Sequence, residues 1–154
     1  MQNESATTAP TLTAEETRDL RCIAGIMIPA SKEYGVPGAD DATIVADILG
    51  CLGRDLGEVR TALRTLRDMA GGPFADLDAA RAEAVAMAFL ERGDAAQATL
   101  GRVILQCYYR DDRVVRSLGL EPRPPFPRGH VLEQGDWSLL DPVRARAKMW
   151  RDAP

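Results

Sequence analysis

The sequence predicts an all-α fold, a compact bundle of five or six short helices with an extended proline-rich C-terminal tail. Three observations predict it. Apolar residues recur at helical spacing in five successive segments, and no segment alternates with a sustained period of two. Ser, Thr or Asp residues with helix-capping chemistry open most of these segments. Aromatic residues make up 5% of the chain and hydrophobic residues 45%, so the core is aliphatic and alanine-rich, which suits close-packed helices better than a sheet sandwich.

Residues 1–12 are small and polar and read as a flexible arm. Thr13-Ala-Glu-Glu16 is a capping box that opens the first helix, with Leu20, Ile23, Ala24 and Met27 on one face and Pro29 as its stop. ASKEYGVPGADD is turn chemistry built on Gly35, Pro37 and Gly38. Asp40 or Asp41 caps a second helix carrying Ile44, Val45, Ile48 and Leu49. Asp55-Leu-Gly-Glu58 repeats the capping-box pattern ahead of a third helix. Its apolar stripe is Leu56, Val59, Leu63 and Leu66; Arg60, Arg64 and Arg67 mark its wet face, and Gly71-Gly72-Pro73 closes it. Asp76 opens a fourth helix through Val85 and Phe89. Asp94-Ala-Ala-Gln97 opens a fifth through Leu100, Val103, Ile104 and Cys107, and Asp111 caps a short last turn ended by Gly119.

The helical domain therefore spans residues 13–119, and residues 120–154 form a tail of different composition. Six of the ten prolines fall in it, at Pro122, Pro124, Pro125, Pro127, Pro142 and Pro154. The Pro124–Pro127 stretch favours an extended polyproline-type path. Asp141-Pro142 reads as a cap with proline at the first helical position, opening a short helix through Val143 and Met149.

The 154 residues suit one globular domain, and a net charge of −4 argues against nucleic acid as a partner. No run reaches the roughly 18 apolar residues of a membrane span. The sequence as written shows no Sec or twin-arginine signal, so the cytoplasm is the expected location. The periplasm is the alternative if a signal was removed or the chain is co-exported with a partner. Cys22, Cys51 and Cys107 are widely spaced within apolar helical patterns, and the expectation is three buried free thiols.

Catalytic chemistry is thin. His130 is the sole histidine, with no Gly-x-Ser-x-Gly elbow to accompany it and no neighbouring cysteine with which to bind zinc. Asp40-Asp41 and Asp111-Asp112 are better explained as caps and turns than as an acid–base pair. No glycine-rich phosphate or dinucleotide loop and no haem-attachment motif occurs, so no catalytic, cofactor or metal residue is assigned. The tail instead carries residue types enriched at interface hot spots. The candidate partner-contact set is Arg123, Phe126, Arg128, His130, Trp137 and Trp150, joined by Tyr109 at the end of the fifth helix. Self-packing of the tail over its own bundle is the competing reading of the same residues.

Two stretches carry a family resemblance. LTAEETRDLRCIAGIMIPASKEYGVPGADDATIVADIL resembles the opening of the gluconate 2-dehydrogenase subunit 3 family, the small or gamma subunits that accompany flavin-dependent oxidoreductases of the glucose-methanol-choline (GMC) type. YYRDDRVVRSLGLEPRPPFPRGHVLEQGDWSLLDPVRAR looks like the C-terminal portion of that family's soluble relatives. The resemblance implies a non-catalytic accessory role. A large GMC-type flavoprotein subunit would hold FAD and oxidise an alcohol or sugar hydroxyl, while this chain would hold no cofactor of its own. It also implies a further electron acceptor in many complexes, such as a cytochrome c; nothing in this sequence ligates haem. Two rivals stand beside it: a generic helical scaffold or regulatory module without an oxidoreductase partner, and a small helical enzyme with His130 as base.

Overall fold

The computed structural model describes residues 11–131, 133–149 and 151. The chain divides into two units, Met1–Pro122 and Arg123–Pro154. Among the described residues the structure is all-α. The first unit holds α1 (Ala14–Met27), α2 (Ala42–Cys51), α3 (Leu56–Ala70), α4 (Ala79–Leu90), α5 (Ala95–Tyr108) and α6 (Asp112–Ser117), and the second holds α7 (Asp141–Arg144). Among the described residues, extended pairing is limited to one isolated bridge, Ser31 with Val36.

The caps show why the helices begin where they do. At α1 both halves of the capping box form: the Glu16 amide donates to Thr13 Oγ1 at 3.1 Å, and the Thr13 amide to Glu16 Oε2 at 2.7 Å. Asp41, rather than Asp40, caps α2 by accepting the Thr43 amide at 3.0 Å. Asp94 accepts from the Gln97 amide and Asp111 from the Arg113 amide, both at 2.9 Å.

Two expected caps differ. Asp55 makes no capping bond, because Gly53–Asp55 is wound as a 3-10 turn and its backbone is already helical. Its carboxylate instead pairs with Arg102 of α5 at 2.8 Å. Asp76 lies in a second 3-10 turn, Phe74–Asp76, and pairs with Arg18 at 2.6 Å. Leu77 is extended, and Asp78 caps α4 through the Arg81 amide at 3.0 Å.

α3 is the central element. It packs against α5, α4 and α1, while α2 packs against α5. Val59, Ala62, Leu63 and Leu66 of α3 are buried with Leu20 and Ile23 of α1, Ile44 and Ile48 of α2, Phe89 of α4 and Leu100 and Ile104 of α5. Burying each such side chain contributes roughly 1.5–3 kcal/mol. Leu12, ahead of the Thr13 cap, joins this core, so ordered packing starts inside the segment read as an arm; residues 1–10 lie outside the described residues. At its far end α3 stops on Gly71, whose φ of 74° places it in the left-handed region that glycine tolerates.

The arginines of α3 are not simply a wet face. Arg67 reaches α1, donating to Asp19 Oδ2 at 2.7 Å and to Glu15 Oε2 at 2.9 Å. Arg60 lies 3.5 Å from Glu16. Asp19 is 1% exposed, and its other oxygen accepts the Ala75 amide at 2.9 Å. A buried carboxylate is tolerated only with such partners.

The second unit is described by itself. The Phe126–Pro127 peptide is cis, and residues 126–128 form a turn. The Gly129 amide donates to Pro125 O, and Arg123 Nη2 donates to Gly129 O at 2.7 Å. The Pro124–Pro127 stretch is thus closed locally rather than drawn out. Further on, Asp136 caps a 3-10 turn, Trp137–Leu140, through the Ser138 amide at 3.0 Å. α7 is a single turn ending at Arg144, with Leu140 as its cap residue. It is shorter than the expected helix through Met149, and Asp141 lies inside it rather than capping it.

Candidate functional site

The expected partner-contact residues divide between the units. Tyr109 ends α5 on the first unit, 56% exposed, with its ring edge-on to Tyr108 at 5.3 Å and 85°. Tyr108 is buried in the core, as expected of one ring of the pair. The second unit carries Phe126 at 87% and Trp137 at 62% exposure, with Arg128 and His130 also exposed. The Arg123 guanidinium is engaged inside its own loop, bonding Gly129 O and Pro124 O. Trp150 lies outside the described residues.

The cysteines depart from expectation. Cys107 is buried, Cys22 is half-buried, and Cys51 is exposed. Helical periodicity places all three on apolar faces, but Cys51, the last residue of α2, is exposed.

Cys51 and Cys107 meet across the α2–α5 packing, 56 positions apart in sequence. Asp47, one helical turn before Cys51, completes a cluster whose three donor atoms all lie within 4.8 Å of one another. Arg110 enters from just beyond α5. Its Nη2 lies 2.6 Å from Asp47 Oδ2, 2.7 Å from Cys51 Sγ and 3.8 Å from Cys107 Sγ. Burial, with the nearby Asp47 carboxylate and Cys51, pushes the Cys107 thiol up to about 12. A cleft of about 350 Å³, lined by Asp47, Cys107, Arg110, Thr43 and Asp111, opens beside the cluster.

A larger cleft, about 540 Å³, lies between α1 and the loop that follows it, lined by Arg18, Arg21, Cys22 and Asp40. Its arginines are engaged within the protein: Arg18 with Asp76, and Arg21 with the Asp40 carbonyl at 2.9 Å. Burial, and secondarily Asp19 and Asp40, pushes the Cys22 thiol upward, which disfavours the reactive thiolate.

Arg113 links two helix caps. It donates to Asp41 at 2.7 and 3.2 Å and to Asp111 at 2.9 Å through both Nε and Nη2. This pairing holds the Asp41 carboxyl down at about 2 and lowers Asp111 as well. Asp41 and Asp111 thus each combine a helix cap with an Arg113 ion pair, in keeping with their sequence assignment as caps.

No described helix is long and apolar enough to cross a membrane. Compared with known proteins, the chain matches no family model, no curated protein and no solved structure.

Proposed function

We propose that this chain is a non-catalytic small subunit that stabilises and completes an FAD-dependent GMC-type alcohol or sugar oxidoreductase. The observation that carries the reading is the exposure of large apolar side chains in the second unit, Phe126, Val131, Trp137, Leu139 and Met149. Uncovered apolar residues in such number suit a surface that is completed by another protein. The resemblance of both chain ends to gluconate 2-dehydrogenase subunit 3 supports a large flavoprotein as that protein.

In this reading Phe126 and Trp137 fill pockets on the flavoprotein, and such anchors typically contribute about 2 kcal/mol or more each. Arg128 bonds a partner carbonyl or carboxylate. Arg123 acts indirectly, holding the 123–129 loop in the shape that presents Phe126. His130 approaches the mouth of the partner's active site and shapes substrate access. FAD resides in the partner, which passes electrons to a cytochrome c or another acceptor. The complex works in the cytoplasm, or in the periplasm if the two chains are exported together.

Co-expression of the tagged chain with its genomic neighbours tests the reading. A co-purifying flavoprotein supports it, and a lone colourless monomer contradicts it.

A further inference from the structure

The point occupied by Arg110 Nη2 has the surroundings of a cation site. One carboxylate oxygen and two sulfurs face it, at 2.6, 2.7 and 3.8 Å. Asp47 and Cys51 come from one face of α2, four residues apart, the spacing that lets two side chains of a single helix share one ligand. Cys107 comes from α5, which packs on α2, so the core fixes the relative placement of the donors. The side chain of Arg110 is itself 57% exposed and rooted beyond the end of α5, so it can swing into water without disturbing that packing.

We propose that Asp47, Cys51 and Cys107 form a binding site for a thiophilic divalent cation of the Zn²⁺ class, for which the Arg110 guanidinium is the built-in competitor. Two sulfurs and one carboxylate form a donor set that selects a borderline-soft ion over Mg²⁺ or Ca²⁺. Zinc–sulfur bonds are about 2.3 Å, so the donor atoms draw together to roughly 3.5–4 Å from one another on binding. Three protein ligands leave a fourth tetrahedral position facing the adjoining cleft, open to water or to a donor from another molecule.

Charge balances in this exchange. The ion enters with two positive charges, and the two thiols release one proton each. The ligand set therefore carries one negative charge before binding, on Asp47, and one afterwards. The long-range field of Arg110 is thus nearly indifferent to the exchange, and the principal effect of the guanidinium is to occupy the point where the ion must sit. Removing it strengthens binding, whereas removing a ligand weakens it.

The test is titration of the full, reductant-treated chain with Co²⁺, followed by displacement with Zn²⁺. The expected result is uptake of one Co²⁺ per chain, with sulfur-to-cobalt charge-transfer and tetrahedral visible bands that Zn²⁺ abolishes. Cys51→Ser and Cys107→Ser should remove the bands, Asp47→Asn should weaken binding, and Arg110→Ala should tighten it. Cys22→Ser should change nothing. Cys107 is buried, so its variant is interpreted only if its circular dichroism is native; Cys51 is exposed, and its variant keeps the test decisive. No stoichiometric uptake, uptake indifferent to Cys51→Ser, or uptake weakened by Arg110→Ala would overturn the proposal.

Discussion

Arg67 of α3 donates a 2.7 Å hydrogen bond to Asp19 of α1, whose side chain is sealed from water. The same carboxylate takes the Ala75 amide, so one buried charge ties α1, α3 and the turn ahead of α4. Replacing Asp19 with Ala leaves the half-buried Ala75 amide without its acceptor and Arg67 with Glu15 as its remaining carboxylate partner. The expected cost is about 1–3 kcal/mol, read from urea denaturation. Asp19→Asn keeps the shape and one acceptor, and should cost less. Equal, negligible losses for both variants would show that the pair is not a fastening point.

A second prediction concerns acid. Arg113 lowers the Asp41 carboxyl to about 2, below its value in the unfolded chain. The contribution of this pair is therefore complete above about pH 4 and is lost as the pH falls through about 2. Asn retains capping ability at position 41, so Asp41→Asn isolates the charge pair. Because the pair is partly exposed, the variant should lose no more than about 1 kcal/mol at neutral pH. The stability gap from the parent chain should close as pH falls towards 2. A gap independent of pH would remove the pairing from the account.

Gly38 sits where the chain returns from the 32–35 turn to α2. A Cβ there would lie 2.9 Å from the Ala30 amide nitrogen and 3.2 Å from the Ile28 carbonyl oxygen, and backbone cannot yield as a side-chain end does. Gly38→Ala is expected to cost about 1–3 kcal/mol, whereas Gly57→Ala, with nothing near its Cβ, should be neutral or slightly stabilising. Thermal melts of the two variants make the comparison.

The buried core of the first unit runs from Leu12 to Val114. Truncation after Pro122 should therefore leave the helical circular dichroism and a cooperative melt, while abolishing capture of the proposed flavoprotein partner. Aggregation of the truncated chain would assign residues 123–154 a folding role instead.

Much of this architecture is legible in the sequence because it is local. The Thr13, Asp94 and Asp111 caps follow from spacing of two or three residues, as does the stripe Val59, Leu63 and Leu66. Asp55 and Asp76 were misplaced because a 3-10 turn ahead of a helix uses the same residues as a cap, and the choice depends on distant arginines, Arg102 and Arg18. Asp19 carried no local signal: a single acid on a helical face looks solvated until Arg67, 48 positions away, is seen beside it. The Asp47–Cys51–Cys107 cluster was hidden for the same reason. The i, i+4 pair Asp47 and Cys51 was the one visible hint, and the third donor comes from another helix.

The most direct test of the accessory-subunit reading is the flavin-to-chain ratio of material purified through a tag on this chain, co-expressed with its genomic neighbours. The account predicts a stable complex with a flavoprotein in fixed proportion, carrying flavin absorbance, and loss of both when Phe126 and Trp137 are replaced by alanine. A folded chain that emerges alone and colourless, or a complex unaffected by those replacements, would contradict it.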